Sequence, residues 1–290
     1  MPKAKFQAFS LERIIEDIKN IKARGVKFVF FCDDNPAMHP EQFKLLNERI
    51  IKERLNDMYY SGMVSTESTA DSETTELMRK AGWDFVFLGV ENIYETNLRG
   101  MRKKSSEELA AKSIDSLHKA GISILAGLIV GNPEDNEDTI RMNFEWIRKQ
   151  PVDSIMPQFL TPYPGTTTRK ELLEEGLVLN EGGMPDENKY GGWSTYNGEF
   201  AHCKTRSGLM PEEIERIVYE EMAKFKKDRA KKLFRGKLNF AKNNPLHLFN
   251  YILYSSAPSV LRAIKEINLS SAEKARLSRQ RKIAMNQFNI

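Results

Sequence analysis

One pattern constrains this chain more than any other. A helical stretch, a tight turn and an apolar run follow one another at least five times. Ser10 stands before Leu11, Ile14, Ile15, Ile18 and Ile21, a capping hydroxyl ahead of an apolar stripe at helical spacing. Gly25 ends that helix, and "VKFVFFC", residues 26–32, reads as a buried strand. Pro40 starts a helix with Phe43, Leu46, Ile50 and Leu55 on one side, and residues 59–67 read as the second strand. Asp71 caps a helix to Lys80 that Gly82 closes, and residues 84–90 form the third strand. Ser105 opens a helix ended by Gly121, and residues 122–130 form the fourth strand. Asn132-Pro133-Glu134 reads as a helix start, with proline in the first turn and an acid facing the amide dipole. Residues 154–160 are the fifth strand, and Thr166 begins another helix. Apolar runs this continuous imply strands covered on both faces, hence a parallel α/β sheet. Units of roughly thirty to forty residues favour a barrel or partial barrel over a doubly wound sheet. No GxGxxG or phosphate loop follows any strand, which counts against a dinucleotide fold.

Composition narrows the class further. The chain has 290 residues, 40% hydrophobic and 29% charged, as in globular proteins. Its longest apolar stretch is the nine residues 122–130, too short to span a bilayer. Met1 is followed by Pro-Lys-Ala-Lys without an apolar core, so no signal peptide is read and the cytoplasm is the expected location. Two cysteines, Cys32 and Cys203, form neither a disulfide framework nor a zinc site, and Cys32 is expected as an inert core thiol. From Ala223 onward there are 16 Lys and Arg against 3 Asp and Glu; before it the balance is 28 against 37. The expected organisation is therefore a barrel over residues 1–180, a polar connecting loop over 181–210 with Trp193 and Tyr196, and a basic helical region over 211–290.

The carboxyl ends of the strands concentrate polar residues and glycine. The first delivers Asp33, Asp34 and Asn35, the second Thr66, Glu67 and Ser68, the third Gly89, Glu91 and Asn92, the fourth Gly131 and Asn132, the fifth Thr161 to Thr166. That rim is where parallel barrels bind ligands. Glu67 and Glu91 suit hydroxyl and amine groups, while Gly89 and Gly127 would let a flat ligand approach the backbone. Each has a plainer reading: Asp33, Asn132 and Thr166 as caps, Gly89 and Gly127 as relief of packing.

The motifs "FFCDDN", "STESTADSETTELMRKAGWDFVFLGVEN", "LRGMRKKS", "AGLIVGNPED" and "PYPGTTTRKELLEEGLV" stand in one order. In that order the chain resembles the radical S-adenosylmethionine enzymes, and most of all the branch with a cobalamin-binding domain. The resemblance implies a partial (β/α)6 TIM-like barrel holding S-adenosylmethionine across the strand ends. In such enzymes a 4Fe-4S cluster releases a 5′-deoxyadenosyl radical. By position, Glu91 would contact the ribose or methionine part and Lys103 the methionine carboxylate. Gly127 to Gly131 would lie along the adenine, Glu67 would face methionine or substrate, and Asp33, Asp34 and Asn35 would end the second barrel strand beside the cofactor.

The sequence departs from the family in one respect. The cluster takes three thiolates from a CxxxCxxC loop after the first strand, and no such motif occurs here. The chain is therefore expected to be the carboxyl part of a longer or split enzyme, its barrel missing the first strand. That strand, the cluster loop and the cobalamin domain would come from an upstream segment or partner chain, and the chain would be inactive alone. The competing expectation is a non-catalytic remnant serving as a binding or assembly module, with the basic tail touching nucleic acid or an anionic membrane surface. The substrate is a small molecule that the sequence does not specify.

Overall fold

A computed structural model describes residues 9–101, 103–179, 198–234 and 239. Along them run α1 (Leu11–Ala23), β1 (Phe28–Phe31), α2 (Pro40–Lys52), β2 (Tyr59–Ser65), α3 (Thr66–Thr69), α4 (Ser72–Ala81) and β3 (Trp83–Glu91). There follow α5 (Glu95–Gly100), α6 (Glu107–Lys119), β4 (Ser123–Val130), α7 (Glu137–Lys149), β5 (Ser154–Phe159), α8 (Thr167–Glu174) and α9 (Pro211–Phe234). The strands form one sheet in the order β1-β2-β3-β4-β5, and the pairs from β1 to β4 are parallel. Trp193, Tyr196 and the helices expected from Leu246 onward lie outside the described residues.

The helix boundaries follow local chemistry. Ser10, Asp71, Ser106 and Thr166 each accept the backbone N–H three residues on, closing α1, α4, α6 and α8. Gly82 ends α4 at φ +103°, where a Cβ would also lie 2.5 Å from the Met58 carbonyl, so only glycine fits. Three expected boundaries move. Strand β2 stops at Ser65, placing Glu67 in the first turn of α3. The cap of α6 is Ser106, with Ser105 turned instead toward Thr66. Helix α7 begins at Glu137, because Asp135 Oδ2 first takes the N–H groups of Gly131 and Asn132, each at 2.9 Å. Asn136 and Thr139 then exchange side-chain and backbone bonds at the true start.

The chain forms two compact units. The first holds the described residues up to Leu128, Arg141–Pro157, and those of Lys224–Asn239. Its centre is Trp83, fully buried, whose indole N–H donates to Asn47 Oδ1 at 2.8 Å and whose ring meets those of Phe31, Phe43 and Tyr60. Hydroxyl pairs fasten α3 and α4 to α6: Thr69 with Ser113 and Thr75 with Ser116, both 2.7 Å apart and buried. Along β3, Val86, Leu88 and Val90 are fully buried, whereas Phe85, Phe87, Gly89 and Glu91 on the other face are half-buried. Asp153 binds β4 twice, its N–H donating to the Ile124 carbonyl and its carboxylate accepting the Ile124 N–H.

The second unit comprises Ile129–Ile140 and the described residues of Gln158–Ala223. Leu172, Leu177, Val178 and Cys203 form a small core there, and Val178 bridges Cys203 in antiparallel fashion. Arg206 ties the turn after β4 to the end of α8, through Glu134 and a two-pronged contact with Glu175 at 2.7 Å.

Strand β1 corrects an expectation. It was read as buried, yet Phe28 is 48% and Phe30 44% exposed, and Cys32 is exposed rather than in the core. The reason is position. β1 ends the sheet, so its apolar side chains lack the neighbours that cover β2 to β4.

Candidate functional site

The candidate site lies at the carboxyl ends of β1, β2 and β3 in the first unit. Its most unusual residue is Glu91, a non-glycine at φ +66°. The Asn92 N–H donates to the Val90 carbonyl at 2.9 Å, closing a γ-turn about Glu91 of the strained, positive-φ kind. The same residue marks a register shift against β4. An irregularity of this kind re-aims a side chain at a strand end and is held only where its surroundings enforce it. Here the enforcing contacts are visible: Asn92 is buried, and its side-chain oxygen accepts the Tyr94 N–H at 2.9 Å. The turn brings the Glu91 carboxylate back over Gly89, so a Cβ on Gly89 would meet Glu91 Oε1 at 3.0 Å.

Lys103 completes the pair. Its ammonium donates to Glu91 Oε1 at 2.8 Å, with the Glu91 side chain 16% and the Lys103 side chain 47% exposed. Lys103 follows α5, whose last turn accepts the Lys103 N–H at the Leu98 carbonyl. Two residues on, Ser105 lies 2.8 Å from the Thr66 hydroxyl, fixing this segment beside the end of β2. Glu67 is exposed in α3, with its carboxylate approached by Thr66 Oγ1 at 3.4 Å. Glu67, Gly89, Glu91 and Lys103 therefore occupy one end of the sheet.

The other expected residues separate in role. Asn35 is a turn-former and a tether: its side-chain oxygen accepts the Ala37 N–H, and its amide donates to Ser65 at 3.2 Å. Asp33 and Asp34 are exposed beyond the end of β1. At Gly127 the space is already used. A Cβ there would lie 2.4 Å from Phe87 Cζ, so the missing side chain makes room for the Phe87 ring, the packing alternative. Gly131, in the second unit, has φ +79° and donates its N–H to Asp135, which accounts for glycine without a ligand.

Sequence reasoning did not anticipate the γ-turn at Glu91, the Asn35–Ser65 tether or the Thr66–Ser105 link. For the last a signal existed. Ser105, Ser113 and Ser116 recur near helical spacing opposite the hydroxyl-rich segment Ser65 to Thr75.

The donor set at this rim, one carboxylate and one ammonium bonded together, fits a ligand with hydroxyl or amine donors and a carboxylate. It does not fit an iron–sulfur cluster. Among the described residues no group of three or more His, Cys, Asp or Glu could hold a metal ion. Of the two thiols, burial pushes that of Cys203 up to about 12. Among the described residues, no helix is long and apolar enough to cross a membrane.

Comparison with known proteins gives this site a setting. The model of the radical SAM superfamily matches residues 2–147, half of the chain, and the chain belongs to that superfamily. It is 27% identical over 161 residues to the hopanoid C-3 methylase of Methylococcus capsulatus, covering 56% of this chain and 30% of that protein. It is 26% identical over 170 residues to the anaerobic magnesium-protoporphyrin IX monomethyl ester cyclase of Rubrivivax gelatinosus, covering 58% and 31%. The chain thus spans about a third of the length of these curated relatives. Among solved structures it is similar to the radical S-adenosylmethionine methyltransferase TsrM from Kitasatospora setae, determined with cobalamin and a [4Fe-4S] cluster bound. The TM-score is 0.55 at 18% identity, over 72% of this chain and 41% of that one, which establishes the shared fold.

Proposed function

We propose that this chain is the S-adenosylmethionine-binding, carboxyl-terminal part of a radical enzyme of the methyltransferase or cyclase type, with a barrel completed by residues outside it. The observation that carries the reading is the Glu91–Lys103 pair, held at a strand end by a strained γ-turn. Backbone strain persists where other contacts enforce it, and it clusters at ligand sites. In this reading Lys103 exchanges Glu91 for the ligand's methionine carboxylate, a like-for-like substitution of one charged hydrogen bond. Glu91, so released, accepts from the ribose hydroxyls or the methionine ammonium. Glu67 stands beside them, exposed to ligand or substrate.

Bound S-adenosylmethionine would supply a carbon–sulfur bond open to reductive cleavage, with Glu91 and Lys103 holding its polar groups and the electron coming from outside this chain. This chain does not bind an iron–sulfur cluster by itself, since three thiolates are needed and the whole sequence has two cysteines. Radical modification or methylation of the unknown substrate therefore belongs to the complete assembly. The cytoplasm remains the proposed location.

Calorimetric titration with S-adenosylmethionine tests the binding half without any cluster. Weak binding is expected, and Glu91→Ala or Lys103→Ala should weaken it about tenfold or more, the worth of one charged hydrogen bond. Binding unchanged in both variants, or absent from the unaltered chain at millimolar ligand, overturns the reading.

A further inference from the structure

The cation of the site sits on the link between α5 and α6. That link leaves α5 where the Met101 N–H meets the Asn97 carbonyl and the Lys103 N–H the Leu98 carbonyl, both at 2.9 Å. It re-enters regular structure at Ser106, whose hydroxyl accepts the Leu109 N–H at 3.1 Å. Between those points Lys103 and Lys104 are exposed and Ser105 is half-buried. A lysine stem carries much rotamer entropy, and holding it in one place on an exposed link is costly. The ammonium nevertheless meets Glu91 Oε1 at 2.8 Å. A contact that fixes the link itself would lower that cost.

Ser105 makes that contact, with its hydroxyl 2.8 Å from the hydroxyl of Thr66. Thr66 is fully buried, and the turn around it is itself knotted. The hydroxyls of Ser68 and Thr69 donate to the Ser65 carbonyl at 2.9 and 3.0 Å, and the Asn35 amide donates to the Ser65 hydroxyl at 3.2 Å. Thr66 is therefore an anchor with little freedom of its own. Two more hydroxyl pairs continue the seam, Thr69 with Ser113 and Thr75 with Ser116. Those two join helix to helix, since Ser113 and Ser116 lie within α6. The Thr66–Ser105 pair differs from them. It holds the link, and Lys103 stands two residues before Ser105. A buried hydroxyl pair adds little net stability but is costly to leave half made. Such a pair specifies a position more than it adds adhesion.

We propose that Thr66 and Ser105 are positioning residues for Lys103, their hydroxyl pair holding the link where the ammonium reaches the ligand's carboxylate. This rests on the S-adenosylmethionine reading above. Neither hydroxyl contacts the ligand: Ser105 acts through the backbone it shares with Lys103, and Thr66 acts through Ser105. Without the pair the link moves about its two ends, and Lys103 samples more positions. The ligand must then order the link as it binds, which weakens affinity although every group that touches it is still present. Because the effect passes through Lys103, it vanishes once Lys103 is gone.

Calorimetric titration with S-adenosylmethionine reads the binding side. Thr66→Val and Ser105→Ala should each weaken binding about fivefold, the worth of one neutral hydrogen bond. Thr66→Ser keeps the hydroxyl and should bind as the unaltered chain does. In a Lys103→Ala background, Ser105→Ala should change nothing further. Thr75→Val removes the same chemistry from the far end of the seam, and should lower Tm while leaving affinity unchanged. Ser105 is half-buried, so Ser105→Ala keeps the test open if Thr66→Val does not fold. Amide exchange followed by NMR on the ligand-free chain reads the placement itself. The Lys103 N–H, bonded to the Leu98 carbonyl, should exchange about fivefold faster in Thr66→Val and Ser105→Ala but not in Thr75→Val. Affinity unchanged in the first two variants, equal weakening in Thr75→Val, or losses that add to those of Lys103→Ala overturn the proposal. If the unaltered chain binds no S-adenosylmethionine, the functional reading fails. The exchange measurement then decides the placement of Lys103 alone, and an unchanged rate overturns it.

Discussion

Replacing Gly127 by alanine distinguishes two uses of one glycine. The new Cβ would lie 2.4 Å from Phe87 Cζ and 2.9 Å from Cε1. Carbon atoms in contact sit about 3.5–4.0 Å apart, so the ring must retreat by roughly 1 Å. Phe87 is flanked in register by Met63 on β2 and Leu125 on β4, which limits its escape along the sheet. Overpacking of this kind costs about 1–3 kcal/mol. Against that, removing a glycine from a strand interior gains about 0.5–1 kcal/mol. The expected net loss is therefore about 1–2 kcal/mol, a fall in Tm of roughly 3–6 °C for a chain of this size. Urea unfolding of the single variants and of the Phe87→Ala, Gly127→Ala double variant measures the coupling. With the ring gone, Gly127→Ala should become neutral or mildly stabilising. If it costs the same in both backgrounds, the ring does not own this space. If it leaves stability unchanged but weakens S-adenosylmethionine binding, the glycine serves ligand approach instead.

Two further outcomes follow from the geometry. Asp71 caps α4 by accepting both the N–H and the hydroxyl of Thr74, which hold its carboxyl below the usual carboxylate range. Because the folded-state value is depressed, the stabilisation is present above pH ~4 and fades as pH falls through that lowered value. Asp71→Ala should therefore cost about 1 kcal/mol at neutral pH and nothing measurable near pH 2, read by thermal melts at both. The two cysteines should label in strict order with iodoacetamide: exposed Cys32 in the folded chain, and buried Cys203, its thiol pushed up to about 12, only on adding urea. Equal labelling of both in the native chain refutes the packing around Leu172, Leu177 and Val178.

The periodic part of the fold was legible because it is written locally. Capping by Ser10, Asp71 and Thr166 depends on residues three positions on, and the glycine stop at Gly82 on its own backbone. The α7 start was misread for the same local reason. Asn132-Pro133-Glu134 has the chemistry of a first turn, but Asp135 competes for the same N–H groups and wins with two bonds. Glu91 could be placed at a strand end from the sequence, yet its positive φ could not. Glutamate carries no preference for that region, and the conformation is imposed by Asn92, Val90 and the slip against β4. The burial of β1 was illegible for a different reason. An apolar run reads alike whether a strand is central or at an edge, since coverage is a property of its neighbours.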